Sequence, residues 1–500
     1  MSYNIDQFKQ QLKNYGITNE ELILKSEKKL SEIISTINSK DLDNEVLWDK
    51  TVDRYYKSAA KLVKILENEN IRDSVSNTIV NNLNNFIDVC KKPEFHIAFV
   101  GAIKAGKSTL INALLGKNLA STSVTPETAS LTKFRSSKGK NYINLSFYNT
   151  EEWNKLWESV QSSKADVFLQ EYSQLNADIE KSKWLNKQSM KIEFDNVDDL
   201  KEEIKKWTSS KEATHYFVKE VEVGLSDFNL PEGVIFVDTP GLDDPVKYRS
   251  DITRMYIDRA NAVFVCVKSD SLTGQELRTI YSVFANSRYN PEKVYVIGTQ
   301  LDALNRPIEN WKEQKEEWLK HLSKSDCYGS MQLAQNNLSI TAAYLYNMCI
   351  DFNNLTEDDI YFDLEPIARK FRVRDIEENL NNLIEYSQIE NLKMKLNQEV
   401  IEKYKTLLVN DIKATYQSNK EDIEDLFTKI KNNQLEILEL TNADIDKIKE
   451  EKEKNKKILE ENKKEKEEIE RFLKQVRMMT NQRAESLYKE IKQVGGGVNV

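Results

Sequence analysis

Residues 101–108 read GAIKAGKS, and this stretch decides the fold. The pattern is G-x-x-x-x-G-K-S, which marks phosphate-binding loops that join a strand to a helix. An apolar run at 96–100 precedes it and favours a strand, and a run at 109–115 follows it and favours a helix. The residues predicted to contact a nucleotide here are Gly101, Ala102, Ile103, Lys104, Ala105, Gly106, Lys107, Ser108 and Thr109.

The residue types in this loop suit a bound triphosphate. Glycines let backbone N–H groups curl round an anion, and the helix N-terminus adds a partial positive charge. We expect Lys107 to reach the β- and γ-phosphates, as a catalytic residue, and the Ser108 hydroxyl to ligate Mg²⁺. The chain has only 14 glycines in 500 residues, so a chance match to this pattern is rare.

Short apolar runs rich in β-branched and aromatic residues recur at 95–100, 234–237, 262–267 and 294–297. Such runs are typical of parallel strands that are covered on both faces. Helical stretches separate them, which predicts a doubly wound, mostly parallel α/β sheet. We therefore expect a nucleotide-binding domain over 93–400. Its polar insert at 150–215 contains aromatic residues that either pack within covering helices or form a partner surface.

A second functional element follows the run at 234–237, where the sequence reads Asp238-Thr239-Pro240-Gly241. An aspartate at the carboxyl end of a strand can hold Mg²⁺ through water, so Asp238 is a predicted metal residue. The Gly241 N–H can meet the γ-phosphate and sense its loss, which makes Gly241 a predicted catalytic residue. Between the two elements, Thr125 can place its hydroxyl on Mg²⁺ and its carbonyl on the attacking water as a switch. The alternative for Thr125 is a plain turn.

The base site is predicted after the run at 294–297, where residues 299–302 read TQLD. Guanine-reading hydrolases commonly carry [N/T]-K-x-D here. The Asp302 carboxylate would accept from guanine N1–H and N2–H₂, donors that adenine lacks. Thr299 fits the pattern, but Gln300 replaces the usual lysine, so the choice between guanine and adenine stays open. Further on, Thr341 and Ala342 are expected to back the base through main-chain contacts.

Composition limits the remaining possibilities. Five hundred residues predict two or three domains. A net charge of -9 argues against nucleic acid as a partner. The four cysteines show no paired spacing, which favours a reducing cytoplasm. The N-terminus lacks the pattern of a signal peptide, and no stretch reaches the ~18 apolar residues of a membrane-spanning helix.

Both ends of the chain are predicted to be helical. Apolar residues recur at helical spacing between 22 and 37 and between 71 and 87. The segment SQIENL at 387–392 is expected to open a helix with Ser387 as its N-cap. Residues 446–471 are almost wholly Lys, Glu and Asn, which indicates a solvated helix. Segments 1–92 and 401–500 are therefore predicted to form an all-α helical bundle, the second as a stalk segment.

Four segments together resemble the dynamin-like GTPases, specifically the bacterial dynamin-like proteins of the LeoA type. These segments are GAIKAGKSTLINALLG, SVTPETASLTKF, VIFVDTPGLDDPV and VIGTQLD. The resemblance implies Mg²⁺-dependent hydrolysis of GTP, with Thr125 as the switch threonine and Asp302 as the base reader. It also implies a homodimer across the nucleotide faces and peripheral contact with the inner membrane, which such proteins often remodel. The sequence lacks an apolar loop of the kind that inserts into bilayers, so we also expect a heteromeric machine with a dynamin-like partner.

Two loop positions depart from animal dynamins, in which the loop reads G-x-Q-S-x-G-K-S. The glutamine position is Ile103, which cannot hydrogen-bond the attacking water, and the serine position is Lys104. Our hypothesis is that Lys104 supplies positive charge near the β–γ bridge, as a catalytic residue. The alternative is a solvent-facing lysine. Two other functions also stay open, a regulatory GTPase without membrane action and a weakly hydrolysing, nucleotide-dependent scaffold.

Overall fold

A computed structural model describes residues 5–14, 19–38, 47–121, 130–209, 211–270, 272, 274–287, 290–441 and 445–495. The chain divides into two compact units. One unit is Lys92–Asp411, and the other combines Met1–Lys91 with Ile412–Val500. The sequence motifs at 101–108, 238–241 and 299–302 all fall in the first unit.

Among the described residues, nine strands form one sheet in the unit Lys92–Asp411. They are β1 Phe95–Gly101, β2 Leu131–Ser136, β3 Asn141–Phe147, β4 Met190–Phe194, β5 Val218–Leu225, β6 Val234–Asp238, β7 Ala262–Lys268, β8 Val294–Thr299 and β9 Leu338–Ile340. Their order across the sheet is β4-β3-β5-β2-β6-β1-β7-β8-β9. Neighbours from β6 to β9 pair in parallel, as do β2 and β5, whereas β2–β6, β3–β4 and β3–β5 are antiparallel. The prediction of a mostly parallel sheet is confirmed.

Burial along the strands follows their place in the sheet. Strand β6 is buried at every position, because helices cover both faces of the parallel half. Strand β3 instead alternates, with Ile143 and Leu145 fully buried between partly exposed neighbours. This alternation is typical of an antiparallel strand with one solvated face.

Twenty α-helices are described along the chain. They are α1 Ile5–Asn14, α2 Glu20–Asn38, α3 Lys50–Leu66, α4 Glu69–Arg72, α5 Asn77–Lys91, α6 Lys107–Leu115, α7 Thr150–Ser163, α8 Asp166–Gln174, α9 Asp178–Trp184, α10 Val197–Thr208, α11 Lys247–Arg259, α12 Gly274–Ala285, α13 Pro307–Leu322, α14 Met331–Asn337, α15 Ala343–Ile350, α16 Glu365–Lys370, α17 Leu380–Tyr386, α18 Ile389–Lys395, α19 Tyr404–Thr441 and α20 Ile445–Gly495. Two π-helical segments, Asp359–Leu364 and Leu396–Ile401, directly precede α16 and follow α18.

The insert packs its aromatic side chains internally. The Trp157 ring lies 5.0 Å from the Tyr172 ring, and the Trp184 and Trp207 rings are 4.9 Å apart, both distances between centroids. Trp153 is fully buried. The interpretation of these residues as packed, rather than as a partner surface, is therefore confirmed. The insert also contributes β4 to the edge of the sheet, a strand that the sequence patterns did not predict.

Residues from both ends of the chain form the second unit. Asp49 caps α3 by accepting from the Thr51 N–H at 2.7 Å. The Tyr416 ring of α19 stacks on Tyr55 with centroids 4.4 Å apart, and its hydroxyl lies 2.8 Å from the Ser58 hydroxyl. Contacts of this kind join the N- and C-terminal segments as the predicted helical bundle requires.

Two details differ from the sequence expectations. Residues 71–87 do not form one helix, because α4 ends at Arg72 and α5 begins at Asn77. The N-cap of α18 is Gln388, which adopts a left-handed φ of 61°, and Ser387 instead ends α17.

No helix among the described residues is long and apolar enough to cross a membrane. Exposed apolar side chains do occur on α20, including Phe472 and Met479.

Candidate nucleotide-binding site

The phosphate loop joins β1 to α6 at the carboxyl edge of the parallel strands. Gly106 precedes α6 with a φ of 82°, a conformation that favours glycine. Gly101 meets β7 so closely that an added Cβ would lie 2.4 Å from the Cys266 carbonyl oxygen. The Lys107 ammonium is buried beneath the loop and donates to the carbonyls of Gly101 at 3.3 Å and Ala102 at 2.9 Å. This arrangement places backbone N–H groups and one cation at a helix N-terminus, as anion binding requires.

The two predicted metal residues that the structure describes are in direct contact. The Ser108 hydroxyl donates to Asp238 Oδ2 at 2.7 Å. Asp238 Oδ1 is buried and has no hydrogen-bond partner among the described residues. Burial raises the pKa of Asp238 to about 6, although the Lys107 charge and the Ser108 hydrogen bond lower it. A buried carboxylate oxygen without a partner, beside a serine hydroxyl, fits the oxygen-ligand preference of Mg²⁺.

Gly241 and the loop position Ile103 are packed together. A Cβ on Gly241 would lie 2.5 Å from Ile103 Cγ1. The Ile103 backbone N–H donates to Asp243 Oδ1 at 2.6 Å, and the Gln275 amide donates to the other oxygen of that carboxylate at 3.0 Å. The Leu242 N–H donates to the Gly101 carbonyl at 3.0 Å. The segment after β6 is therefore coupled directly to the phosphate loop, as a γ-phosphate sensor must be.

The base-side pocket has a volume of about 380 Å³. It is lined by Gly106, Thr109, Thr299, Gln300, Asp302, Ala303, Ala343, Tyr344, Ile367 and Lys370. The Asp302 side chain is buried and accepts from the Leu345 N–H at 3.0 Å through Oδ2. Burial raises the pKa of Asp302, while that hydrogen bond and the nearby Lys370 charge lower it. The pocket thus presents a fixed carboxylate acceptor, which suits a base with N–H donors.

Thr299 and Gln300 connect this pocket to the phosphate loop. The Thr299 hydroxyl, which can donate only one hydrogen bond, lies 2.6 Å from the Ala105 carbonyl and 3.1 Å from the Val267 carbonyl. The Gln300 amide donates to the Lys104 carbonyl at 2.8 Å, and both residues adopt left-handed backbone conformations. The Lys104 side chain itself is exposed. The structure therefore leaves both interpretations of Lys104 open.

Thr341 and Ala342 do not form the pocket wall that the sequence predicted. The Thr341 N–H donates to the Gly298 carbonyl at 2.7 Å, and the Ala342 N–H donates to the Ser387 carbonyl at 2.8 Å. Both residues are fully buried. Their backbone groups support the fold, and the wall is formed one and two residues later by Ala343 and Tyr344.

Two further pocket residues, Ile367 and Lys370, were missed by sequence reasoning. They lie on α16, well beyond the motif at 299–302, and no sequence signal marks them. The switch residue Thr125 lies outside the described residues, so its assignment stays a prediction.

Comparison with known proteins agrees with this geometry. Residues 97–298 match the dynamin family. The matched segment begins in β1 and ends in β8, and it therefore contains the phosphate loop and the Asp238–Gly241 segment. The resemblance to dynamin-like GTPases inferred from the sequence is confirmed.

Two curated proteins are similar to parts of this chain. Dynamin-like protein 1 of Campylobacter jejuni is 26% identical over 277 residues, which cover 53% of this chain and 34% of that protein. This chain thus spans about a third of that relative's length. An uncharacterised protein in the xynA 3′ region of Caldicellulosiruptor sp. (strain Rt8B.4) is 24% identical over 377 residues, which cover 67% of this chain and 78% of that protein.

Solved structures that match this chain include bacterial dynamins. One is an oligomerised bacterial dynamin pair, which is described as providing a mechanism for the long-range sensing and tethering of membranes. It has a TM-score of 0.44 and 18% identity, and the match covers 98% of this chain and 76% of that chain. The other is the LeoA bacterial dynamin GTPase from ETEC, with a TM-score of 0.32 and 14% identity, covering 81% of this chain and 49% of that chain.

Proposed function

We propose that this chain is a Mg²⁺-dependent, dynamin-like GTPase that cleaves GTP to GDP and phosphate. The observation that carries the proposal is the convergence of five residues at one edge of the sheet. A buried lysine, a serine–aspartate pair, a glycine packed against the phosphate loop and a buried carboxylate that lines the pocket lie at or just after the ends of β1, β6 and β8. They are Lys107, Ser108, Asp238, Gly241 and Asp302.

Catalysis in such a site comes from positioning and electrostatics. The loop N–H groups and Lys107 hold the β- and γ-phosphates, and Asp302 fixes the base. Ser108 and Asp238 would hold Mg²⁺, which when bound supplies charge neutralisation on the phosphate oxygens. The Gly241 N–H is the group that registers the γ-phosphate, and its close packing on Ile103 transmits that state to the loop.

A weakly hydrolysing, nucleotide-dependent scaffold is the second candidate function, and Ile103 favours it. This residue stands where a water-orienting glutamine is found in animal dynamins. Its side chain instead packs against Gly241, and its N–H is bonded to Asp243. The residues that support triphosphate binding are therefore retained, whether or not cleavage is fast. Either function could also regulate partner proteins without membrane action.

We propose that self-association across the nucleotide face couples the nucleotide site to the helical segments, which act as a lever. In the π-helical segment before α16, Tyr361 is 61% exposed and Phe362 is 66% exposed. Both residues stand a few positions before the pocket residues Ile367 and Lys370 in the sequence. In the sequence, acidic residues flank these rings at 357–359, 363 and 365, and four basic residues follow between 369 and 374. A patch with both charges can pair with its own copy in a two-fold contact. A homodimer is therefore proposed, with a heteromeric dynamin-like partner as the alternative.

We further propose that the protein remodels membranes from the cytoplasmic side. Support for it comes from the bacterial dynamin pair, which is described for membrane tethering, and from the exposed apolar residues on α20. Co-sedimentation with anionic liposomes, with and without a non-hydrolysable GTP analogue, tests it. Protein that stays in the supernatant under both conditions would leave a GTPase without membrane action.

Phosphate release by the Lys107→Ala variant tests the enzymatic proposal. We expect at least a 100-fold lower rate with Mg²⁺ and GTP, because the loop loses its cation. Lys312→Ala is the matched control, since Lys312 is exposed on α13. Unchanged phosphate release in Lys107→Ala would refute the assigned site. A wild type that binds GTP but releases no phosphate would establish the scaffold instead.

A further inference from the structure

Helix α16 closes one side of the base pocket. Ile367 and Lys370 both line this pocket. They are three residues apart on one helix, so their side chains share a face. Both are partly buried, whereas Arg369 between them is exposed. The pocket-facing side of α16 therefore presents one apolar group and one cation.

Gln300 leaves a role unfilled in this pocket. A lysine at its position normally lays its stem along the purine face and adds positive charge. The Gln300 amide is instead bonded to the Lys104 carbonyl at 2.8 Å, and the side chain is neutral. Neither the charge nor the long apolar stem is thus available from residues 299–302.

Lys370 contacts the loop that carries the base reader. Its ammonium donates to the Asp302 carbonyl at 2.8 Å and to the Ala303 carbonyl at 3.2 Å. No carboxylate forms an ion pair with Lys370 among the described residues. Its charge therefore acts on the Asp302 loop, where it favours the ionised carboxylate that guanine requires.

Ile367 provides the apolar part of the same wall. It packs against the buried cluster that contains Leu301 and Leu304, and it also lines the pocket. Its position is therefore fixed from behind by the core. A purine face buried against such a side chain is removed from water, which stabilises binding of any purine.

We propose that α16 replaces the missing motif lysine, and this assignment rests on the proposed guanine-nucleotide function. Lys370 is a positioning residue that acts through Asp302 and sets the preference for guanine. Ile367 is a contact residue for the purine face and strengthens binding without choosing the base. The base site is thus shared between the 299–302 loop and a helix about 70 residues further along the chain.

Affinity measurements on Lys370→Met test the assignment, because methionine keeps an apolar stem and removes the ammonium. We expect the Kd for GTP and GDP to rise about tenfold, the weak binding of ATP to stay unchanged, and kcat at saturating GTP to hold. Lys370→Arg should restore at least half of the loss on a logarithmic scale. The matched control is Arg369→Met on the same helix, whose guanidinium pairs with Glu365 at 2.6 Å outside the pocket.

A double-mutant cycle separates action through Asp302 from general destabilisation. In an Asp302→Ala background, Lys370→Met should change GTP affinity less than twofold. Ile367→Ala should weaken GTP and ATP by the same factor. Two results would overturn this assignment and leave the proposed function standing. One is a tenfold loss of GTP affinity from Lys370→Met that persists in the Asp302→Ala background, and the other is a Lys370→Met protein that keeps its full preference for guanine. A wild type that shows no guanine preference overturns the proposed function and this assignment with it.

Discussion

Replacing Asp238 by asparagine should stabilise the nucleotide-free domain and abolish the proposed GTPase activity. Asp238 is 2% exposed, and burial raises its pKa from 3.8 to about 6. Between these two pH values the folded state keeps a proton that the unfolded state has released. Stability therefore falls as the pH rises through this window, and the full penalty is present above about pH 6.

The size of the effect follows from the same shift. Each pKa unit corresponds to about 1.4 kcal/mol, so ionised Asp238 destabilises the folded state at pH 7.5 by at most about 3 kcal/mol. Asparagine removes the charge and can still accept from the Ser108 hydroxyl, but it gives up the attraction to Lys107. We expect a net gain of about 1–3 kcal/mol in the free energy of unfolding at pH 7.5.

Urea unfolding in EDTA, followed by tryptophan fluorescence, measures this gain. Six of the seven tryptophans lie in the unit Lys92–Asp411, so the signal reports mainly on that unit. The difference between Asp238→Asn and wild type should shrink as the pH falls from 7.5 to 5, because the wild type becomes protonated. Asp251→Asn, at a partly exposed site on α11, is the control and should change little. A variant less stable than wild type at pH 7.5, or a difference independent of pH, would refute the reasoning.

Three further substitutions test other parts of the site. Asp302→Asn should weaken GTP binding about 100-fold and favour xanthosine triphosphate, because the amide offers a donor where the carboxylate accepted; competition against a fluorescent nucleotide measures both. Gly241→Ala should slow single-turnover hydrolysis at least tenfold with little change in GDP affinity, since its Cβ would lie 2.5 Å from Ile103 Cγ1. Arg249→Met should lower the free energy of unfolding by about 2–4 kcal/mol, because it leaves the buried Asp244 carboxylate, 4.0 Å away, without its cation. An unfolding midpoint equal to wild type would contradict the last expectation.

Much of the site could be predicted because its residues follow strand ends. The phosphate loop, the Asp238–Gly241 segment and Asp302 each come directly after an apolar run of strand length. Parallel strands place their carboxyl ends at one edge, so local patterns were enough to bring these residues together. The same reasoning located β1, β6, β7 and β8 to within a residue or two.

The parts that were missed depend on tertiary packing. Ile367 and Lys370 reach the base pocket only because α16 folds back against the core that contains Leu301 and Leu304. The wall expected from Thr341 and Ala342 shifted to Ala343 and Tyr344, since the earlier backbone groups are used by neighbouring strands and loops.

Insert strand β4 was missed because its pattern is weak. It lies at the sheet edge, where partly buried and exposed residues alternate, and its sequence lacks the strong apolar run of a central strand.

The central claim is that the unit Lys92–Asp411 binds a guanine nucleotide through the phosphate loop and Asp302. Calorimetric titration of the full chain with non-hydrolysable GTP and ATP analogues and with GDP, all in Mg²⁺, tests it most directly. The structure predicts saturable binding of the GTP analogue and GDP, at least tenfold weaker binding of the ATP analogue, and loss of all three in Lys107→Ala. Equal or tighter binding of the ATP analogue, or guanine binding that survives Lys107→Ala, would contradict it.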